Sequence, residues 1–236
     1  MKARKFLLGL VASVMSLSVA PAMAAELEVS AGVDIVSASI WRGGVCGGPS
    51  VQPAATVGIA GFSVTAWASQ EIAAMGTDKG QSELDFTVAY GVGGFSVAYT
   101  NYWWSPSVPY FTSGTHLSEV TLGYEFGESF PLAISWNTIV AGDEDKDGDD
   151  SNFSTYIDFS YPFAIGCVDC AASLAITPWE GMYSNGKSGL QVASVGLNFS
   201  KAIVETEKFT LPLFVDLSFS PVNDQAYLVA GMSFGF

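Results

Sequence analysis

Apolar and polar residues alternate along most of this chain, most cleanly in its last stretch, Tyr227-Leu-Val-Ala-Gly-Met-Ser-Phe-Gly-Phe236. Leu228, Ala230, Met232, Phe234 and Phe236 fall on one side, and Tyr227, Val229, Gly231, Ser233 and Gly235 on the other. Successive side chains of a strand point to opposite faces, so this segment has one apolar face and one small or polar face. A water-soluble edge strand is rarely so apolar. A strand of a closed barrel in lipid carries an apolar outer face and a small, polar inner one.

The same period of two recurs upstream. Leu27–Trp41 places Val29, Ala31, Val33 and Ile35 outward and Glu28, Ser30, Gly32 and Asp34 inward, with a loss of phase near Ser37 that predicts a bulge. Gly43–Ser50 reads as a Gly-rich loop. Further strands are predicted at Val51–Ala60, Phe62–Glu71, Ser82–Val92, Phe95–Trp104, His116–Phe126, Pro131–Val140, Asn152–Tyr161, Ala171–Glu180, Leu190–Ser200 and Phe209–Ser220. With the terminal segment these make twelve strands, each near the spanning length of about 9–11 residues. An even number puts both ends of the sheet on one side. Connections after odd strands are mostly long and polar, whereas Gly61 and Gly93-Gly94 make tight turns after even ones. Pro221–Asn223 and the charged connector Lys201–Lys208 break this asymmetry.

The predicted fold is therefore all-β: a transmembrane antiparallel up-and-down β-barrel of about twelve strands. The competing architecture is a secreted β-sandwich, which also alternates. Its solvent face would carry charges, and here Lys and Arg are almost absent from the strands. Tyr90, Tyr124, Phe126, Tyr161, Phe199 and Phe219 lie near strand ends, where interfacial girdles form.

The first residues set the compartment. Lys2, Arg4 and Lys5 precede the apolar run Phe6–Val19, and Ala22-Met-Ala24 supplies a small-x-small exit. This is the pattern of a cleaved signal peptide over 1–24, with the barrel over 25–236. An N-terminal membrane helix is the rival, and the small-residue exit favours cleavage. The expected location is the outer membrane of a Gram-negative-type bacterium. The expected partners are outer-membrane lipid and, through the final strand ending in Phe236, the barrel-assembly machinery. Residues 1–24 hold three of the nine basic residues and none of the 23 acids, so the remainder carries a formal charge of −17. That charge argues against nucleic-acid binding, which needs a basic footprint. Charged residues are 14% and aromatics 13%, too uncharged and too aromatic for an ordinary soluble domain.

Several stretches go beyond barrel patterning. Asp34-Ile-Val-Ser-Ala-Ser-Ile-Trp-Arg-Gly44 is followed by Pro49-Ser-Val-Gln-Pro53, Phe62-Ser-Val-Thr-Ala-Trp-Ala-Ser69, Gly94-Phe-Ser-Val-Ala-Tyr-Thr-Asn-Tyr-Trp103, Ile134-Ser-Trp-Asn137 and Ser154-Thr-Tyr-Ile-Asp-Phe-Ser-Tyr-Pro162. Together they resemble the TorF-type porins and their relatives among outer-membrane β-barrel proteins of unknown function. The Trp-Arg-Gly segment is the most specific part. The resemblance covers most of the chain after the signal and implies an outer-membrane barrel. It implies no particular solute and offers no catalytic residues.

The inward positions carry the candidate chemistry. Asp34, Arg42, Glu71, Glu83, Asp85, Glu119, Glu125, Asp158 and Asp216 are expected to line the pore, with Glu28 at its end. Arg42 is the only Arg after the signal; turned inward, it would face acids such as Asp34 and Glu71, as a structural ion pair or a constriction. Carboxylate rings favour cations, so the reading is a narrow cation-preferring channel for small solutes. The alternative is a non-conducting structural or surface-interaction barrel.

Asp143-Glu-Asp-Lys-Asp-Gly148 opens like a DxDxDG loop, so Asp143, Asp145 and Asp147 are candidates for a weak Ca²⁺ site in the 143–150 loop. The twelfth position is Ser154 where such a loop needs a bidentate Glu, and the other reading is a solvated acidic tip. His116 lacks a Ser/His arrangement with an orienting third group, so no enzyme is expected. Cys167 and Cys170 form a CxxC with no second pair or His nearby, which argues against zinc and for a local disulfide in an oxidising compartment.

Overall fold

A strand with one apolar and one polar face still has unpaired backbone donors and acceptors along both edges, and a barrel removes both edges by closing. The computed structural model, which describes residues 26–74, 82–104, 109–112, 114–206 and 209–235, is a closed antiparallel barrel of twelve strands. In chain order its elements are β1 (Glu28–Val36), β2 (Ser39–Trp41), β3 (Gly44–Gly47), β4 (Ser50–Ile59), β5 (Phe62–Glu71), β6 (Ser82–Val92), β7 (Phe95–Trp103), β8 (His116–Glu125), β9 (Ala133–Ala141), β10 (Lys146–Asp147), β11 (Asp150–Ser151), β12 (Thr155–Ile165), β13 (Val168–Thr177), β14 (Gln191–Glu205), β15 (Thr210–Ser220) and β16 (Gln225–Gly235). The wall comprises β1, β4–β9 and β12–β16, each paired with its sequence neighbour, and β16 closes against β1 through Gly32↔Gly235 to Val36↔Gly231. The pairs β2–β3 and β10–β11 lie outside the wall. The expected signal over 1–24 and the terminal Phe236 fall outside the described residues.

The alternation sorts side chains as the sequence implies. Val29, Val57, Val64, Val88, Leu122, Leu197, Leu217 and Leu228 are exposed on the outer face, while Gln52, Thr65, Asp85, Thr87, Glu119 and Ser233 are buried within. So many exposed large apolar side chains exceed what a soluble monomer shows. Among the described residues no helix is long and apolar enough to cross a membrane, which leaves crossing by strands open. The closed barrel with its apolar outer belt fits an outer-membrane protein. Aromatic rings gather near the ends of that belt. At the end with the short turns Phe62 meets Tyr90 at 4.5 Å, Tyr124 meets Phe126 at 5.0 Å, and Phe130 links Phe126 to Tyr161 at 5.9 and 6.2 Å. At the end with the long loops Trp136 meets Trp179 at 6.3 Å.

Several boundaries differ from the expectation. The first strand stops at Val36 instead of Trp41, and most of the expected loop Gly43–Ser50 belongs to a hairpin, Ser39–Gly47. β12 continues through Pro162 to Ile165, and β13 begins at Val168, so Cys170 belongs to a strand. Its thiol is buried and that of Cys167 is exposed in the turn; both are free, in place of the expected disulfide. Finally, β14 runs on to Glu205, pairing Lys201 with Leu213 and Glu205 with Thr210. Most of the expected connector Lys201–Lys208 is thus strand, and the asymmetry of short turns and long loops is stronger than the sequence suggests.

One close approach in the wall involves a glycine. Phe214 is buried at 2% exposure, stands opposite Gly231 in register, and packs with Val36 and Val229 against Ala38 and Ile40. A Cβ on Gly231 would overlap the Phe214 ring, which its neighbours prevent from swinging away. Gly231→Ala is expected to destabilise the folded barrel by about 1–3 kcal/mol through overpacking, measured by urea unfolding in detergent micelles. An unchanged midpoint would show that the ring moves freely.

Candidate functional site

The wall gives way at one place. β1 leaves the barrel at Val36, opposite Gly231 in the middle of β16, and β4 re-enters opposite it at Ser50. Ser37 makes the exit possible. Its N–H still donates to the Ala230 carbonyl at 2.8 Å, and its hydroxyl, standing in for a backbone carbonyl, accepts from the Ala230 N–H at 2.9 Å. The ladder is satisfied and the backbone is released to turn inward.

The released segment crosses the lumen as the β2–β3 hairpin. Its turn is Arg42-Gly43, with φ of 47° and 82°, flanked by the pair Trp41↔Gly44. Two positive φ values make the turn whose twist suits a two-residue hairpin, and Gly at the second position takes it without strain. The base is tied to the wall by Gln52, whose Nε2 donates to Ser39 and Ser69 at 3.2 Å each. The returning leg is held by Glu71, which accepts from the Gly48 N–H at 3.2 Å, and by the Ile72 N–H to Pro49 bond at 2.7 Å. At the tip, the Gly43 carbonyl accepts from Asn223 Nδ2 at 2.9 Å and Tyr227 Oη at 3.0 Å.

Arg42 reaches the other way. Its guanidinium makes a two-pronged contact with Glu119 of β8, one prong Nη2 to Oε1 at 2.9 Å and the other Nη1 to Oε2. Nη1 also donates to the Tyr183 hydroxyl at 2.6 Å, and Tyr102 donates to Glu119 Oε1 at 3.0 Å. Burial holds the Tyr183 phenol above its usual range, so it stays neutral and accepts from the cation. Rings surround the pair: the guanidinium carbon lies 4.8 Å from the Trp41 centroid, 4.9 Å from Tyr156 and 5.2 Å from Tyr183. Trp41 in turn packs on Tyr102 at 5.5 Å and Trp104 at 5.7 Å. Cation–π contacts of a desolvated cation contribute about 2 kcal/mol or more each. They offset part of the cost of taking both charges out of water.

Below the hairpin lies a cavity of about 180 Å³. Ala38, Ser39, Ile40 and Trp41 roof it; Trp67 and Tyr102 flank it; Glu83, Asp85, Glu119, Glu125 and Asp158 line it. Five of the expected pore-lining acids therefore share one chamber. Glu83 and Asp85, two residues apart on the inner face of β6, are both under a tenth exposed. Asp34 is buried in register between Gln52 and Ser233. Asp216 accepts from Asn198 at 2.5 Å, away from the cavity lining. Arg42 is inward as expected, but its partner is Glu119 and not Asp34 or Glu71, because the hairpin carries it across the lumen. The hairpin and its aromatic box were missed in the sequence. The signal was weak: Gly43 permits a two-residue turn, but Arg-Gly is not one of the usual hairpin pairs and the flanking runs are short.

The calcium expectation is not met. Among the described residues no cluster of three or more His, Cys, Asp or Glu could hold a metal. Asp143 pairs with Lys146 at 2.7 Å, Asp145 turns inward to accept from the Ser154 N–H at 3.2 Å, and Asp147 is paired with Asp150 in the β10–β11 hairpin. The local backbone separates the three carboxylates. Nor is the whole loop a solvated tip, since Asp145 is buried. His116 bonds the Asn101 side chain at 2.8 Å and the Tyr110 carbonyl, pinning the loop residue Tyr110 to the wall.

Removing one partner of a buried pair leaves an uncompensated charge, at a cost of about 3–5 kcal/mol. Glu119→Leu is expected to lower unfolding stability by that order, as is Arg42→Met, and the double variant Arg42→Met, Glu119→Leu to recover most of it. Urea unfolding of the four proteins in a double-mutant cycle measures the coupling; additive losses would show that the two side chains act independently.

Compared with protein-family models the chain matches none, and compared with curated proteins it finds no match either.

Proposed function

We propose that this protein is an outer-membrane channel, narrow and cation-preferring, that passes small solutes past the hairpin Ser39–Gly47. The observation that carries this reading is the charge of the lumen. Asp34, Glu83, Asp85, Glu119, Glu125, Asp158 and Asp216 are on inward-facing positions, and Arg42, the one basic side chain turned to the lumen among the described residues, is already paired with Glu119. A low-dielectric wall focuses the field of such a set, and carboxylates along a pore favour cations. The resemblance of the Trp41-Arg42-Gly43 region to TorF-type porins supports the outer-membrane barrel and names no solute. A second reading is favoured by the hairpin's attachments to β4, β8 and β16: a barrel held shut, serving as a structural or surface element of the membrane.

Planar-bilayer recording of the refolded protein decides between them. In a salt gradient the reversal potential is expected to report cation preference, and the triple variant Asp85→Asn, Asp158→Asn, Asp216→Asn to lose most of it. Anion preference, or unchanged selectivity in the variant, would overturn the channel reading; absence of any conductance would establish the closed barrel.

The orientation has its own test. Cys167 is exposed in a short turn at the end that carries both ends of the sheet, so it is expected to face the periplasm. A membrane-impermeant thiol reagent is expected to label Cys167 only after the outer membrane is permeabilised, with the buried Cys170 unreactive throughout. Labelling of Cys167 in intact cells would reverse the topology.

A further inference from the structure

The hairpin Ser39–Gly47 is seated in the barrel without being part of its wall. β1 and β4 pair directly with one another from Glu28↔Gly58 to Val36↔Ser50, so the wall closes with no hairpin residue in its ladder. The two ends of the hairpin are small residues, Ser37 and Ala38 on one side and Gly47 and Gly48 on the other. Small residues at the ends of elements absorb the backbone rotation of a hinge. The bonds of Gln52 to Ser39 and of Glu71 to Gly48 sit at those ends, where they act as pivots. Val45 on the returning leg is exposed, so that side of the hairpin has room to move into. The tip is held by Arg42 on Glu119 and Tyr183, by the rings around Trp41, and by the Gly43 carbonyl on Asn223 and Tyr227. The fit there is incomplete. Arg42 Nε and the hydroxyl of Ser220, which abuts Gly43, are both buried without a hydrogen-bond partner. Water serves both atoms once the tip is lifted from its seat, so the seated state carries a penalty that the lifted one does not.

We propose that the hairpin is a gate, shut in this structure, and that the Arg42–Glu119 pair is its latch. Opening swings the tip away from β8 and β16 about the Ser37–Ala38 and Gly47–Gly48 ends, while the twelve-strand wall stays closed. With both charges present, their attraction in the seat is set against their desolvation, so the pair adds little net stability to the shut state. Removing one member changes this sharply. The remaining charge is stranded in the seat and reaches water only when the hairpin leaves it. Removing both leaves an apolar seat that the hairpin fills without a stranded charge. A fixed constriction has no second position to shift to and responds to neither change by opening. The inference rests on the channel reading and adds that passage is switched by a moving part.

Single-channel recording of the refolded barrel in planar bilayers tests the gate, and heat-modifiable migration on a semi-native gel verifies the fold of each protein. Glu119→Leu and Arg42→Met are each expected to raise the fraction of time spent open by about tenfold or more. The double variant Arg42→Met, Glu119→Leu is expected to return toward the wild-type fraction. A barrel in which residues 37–49 are replaced by Asn-Gly, joining Val36 to Ser50 through a two-residue turn, is expected to conduct without closures. A second readout needs no current. With Cys167→Ser and Cys170→Ser as background, Cys46 on the returning leg reports the hairpin's position. A water-soluble thiol reagent is expected to modify it about tenfold faster when Glu119→Leu is added. Steady wild-type current, unchanged in both single variants and with unchanged Cys46 modification, would overturn the gate and leave the channel. Current in the Asn-Gly barrel alone would show a fixed plug and overturn the gate. An open fraction as high in the double variant as in the single ones would overturn the latch. Silence in every protein, the Asn-Gly barrel included, would overturn the gate and the channel together.

Discussion

Everything in this structure follows from the need to pair the backbone N–H and C=O groups of a wall whose outer face is apolar. Twelve antiparallel strands meet that need only by closing, and closure forces each strand to divide its side chains between outside and inside. The register makes the division uniform around the wall. Thr56, Thr65, Thr87, Thr100 and Glu119 are successive partners on adjacent strands, a continuous polar row of which Thr56–Thr65 and Thr87–Thr100 are hydrogen-bonded pairs at 2.7 and 2.9 Å. A shift of one residue in any strand would put its half of the row into the apolar belt.

The same rule explains how the hairpin can leave the wall at all. A strand that ends at mid-height exposes its neighbours' edges, and the Ser37 hydroxyl takes over one of the bonds thus lost. Further in, the hairpin makes its own β2–β3 pairs and borrows partners from Gln52, Glu71, Asn223 and Tyr227. The buried pair Arg42–Glu119 belongs to this arrangement. Two charges out of water contribute little net stability. What the two-pronged contact does supply is direction: a planar guanidinium between a carboxylate and three rings fits in one orientation, which fixes where the hairpin lies.

The fold was legible in the sequence because its signal is periodic and repeated. The parity of Leu228, Ala230, Met232 and Phe234, or of Glu83, Asp85 and Thr87, is a local property that closure preserves. Strand ends were less legible. The charged side chains of Lys201 and Glu205 read as a connector, and Pro162 as a turn, but at the rim of a barrel charges reach water and a Pro can stand in a ladder position that needs no donor. The lumen was legible as a list of inward acids and illegible as an arrangement. Arg42 was recognised as singular, yet its partner was set by a segment that folds across the lumen to a strand 77 residues away. Alternation cannot report such a contact, because it describes a wall and the hairpin is not part of one. The Asp143–Asp147 motif failed for the opposite reason: the spacing is local, but Lys146 and the Ser154 N–H each claim one carboxylate before a metal could.

The use of Arg42, the one arginine among the described residues, then shapes the interior. Spent on Glu119, it neutralises one acid at the level of the hairpin and leaves the chamber beneath with Glu83, Asp85, Glu125 and Asp158 and no basic side chain among its lining residues. Those acids lie within one small cavity under a roof that is mainly apolar, where screening by salt is weaker than at the surface. The hairpin is therefore more than an obstruction. By carrying Arg42 to the far wall and covering it with aromatic rings, it separates a layer in which charge is paired from a chamber lined by carboxyl groups.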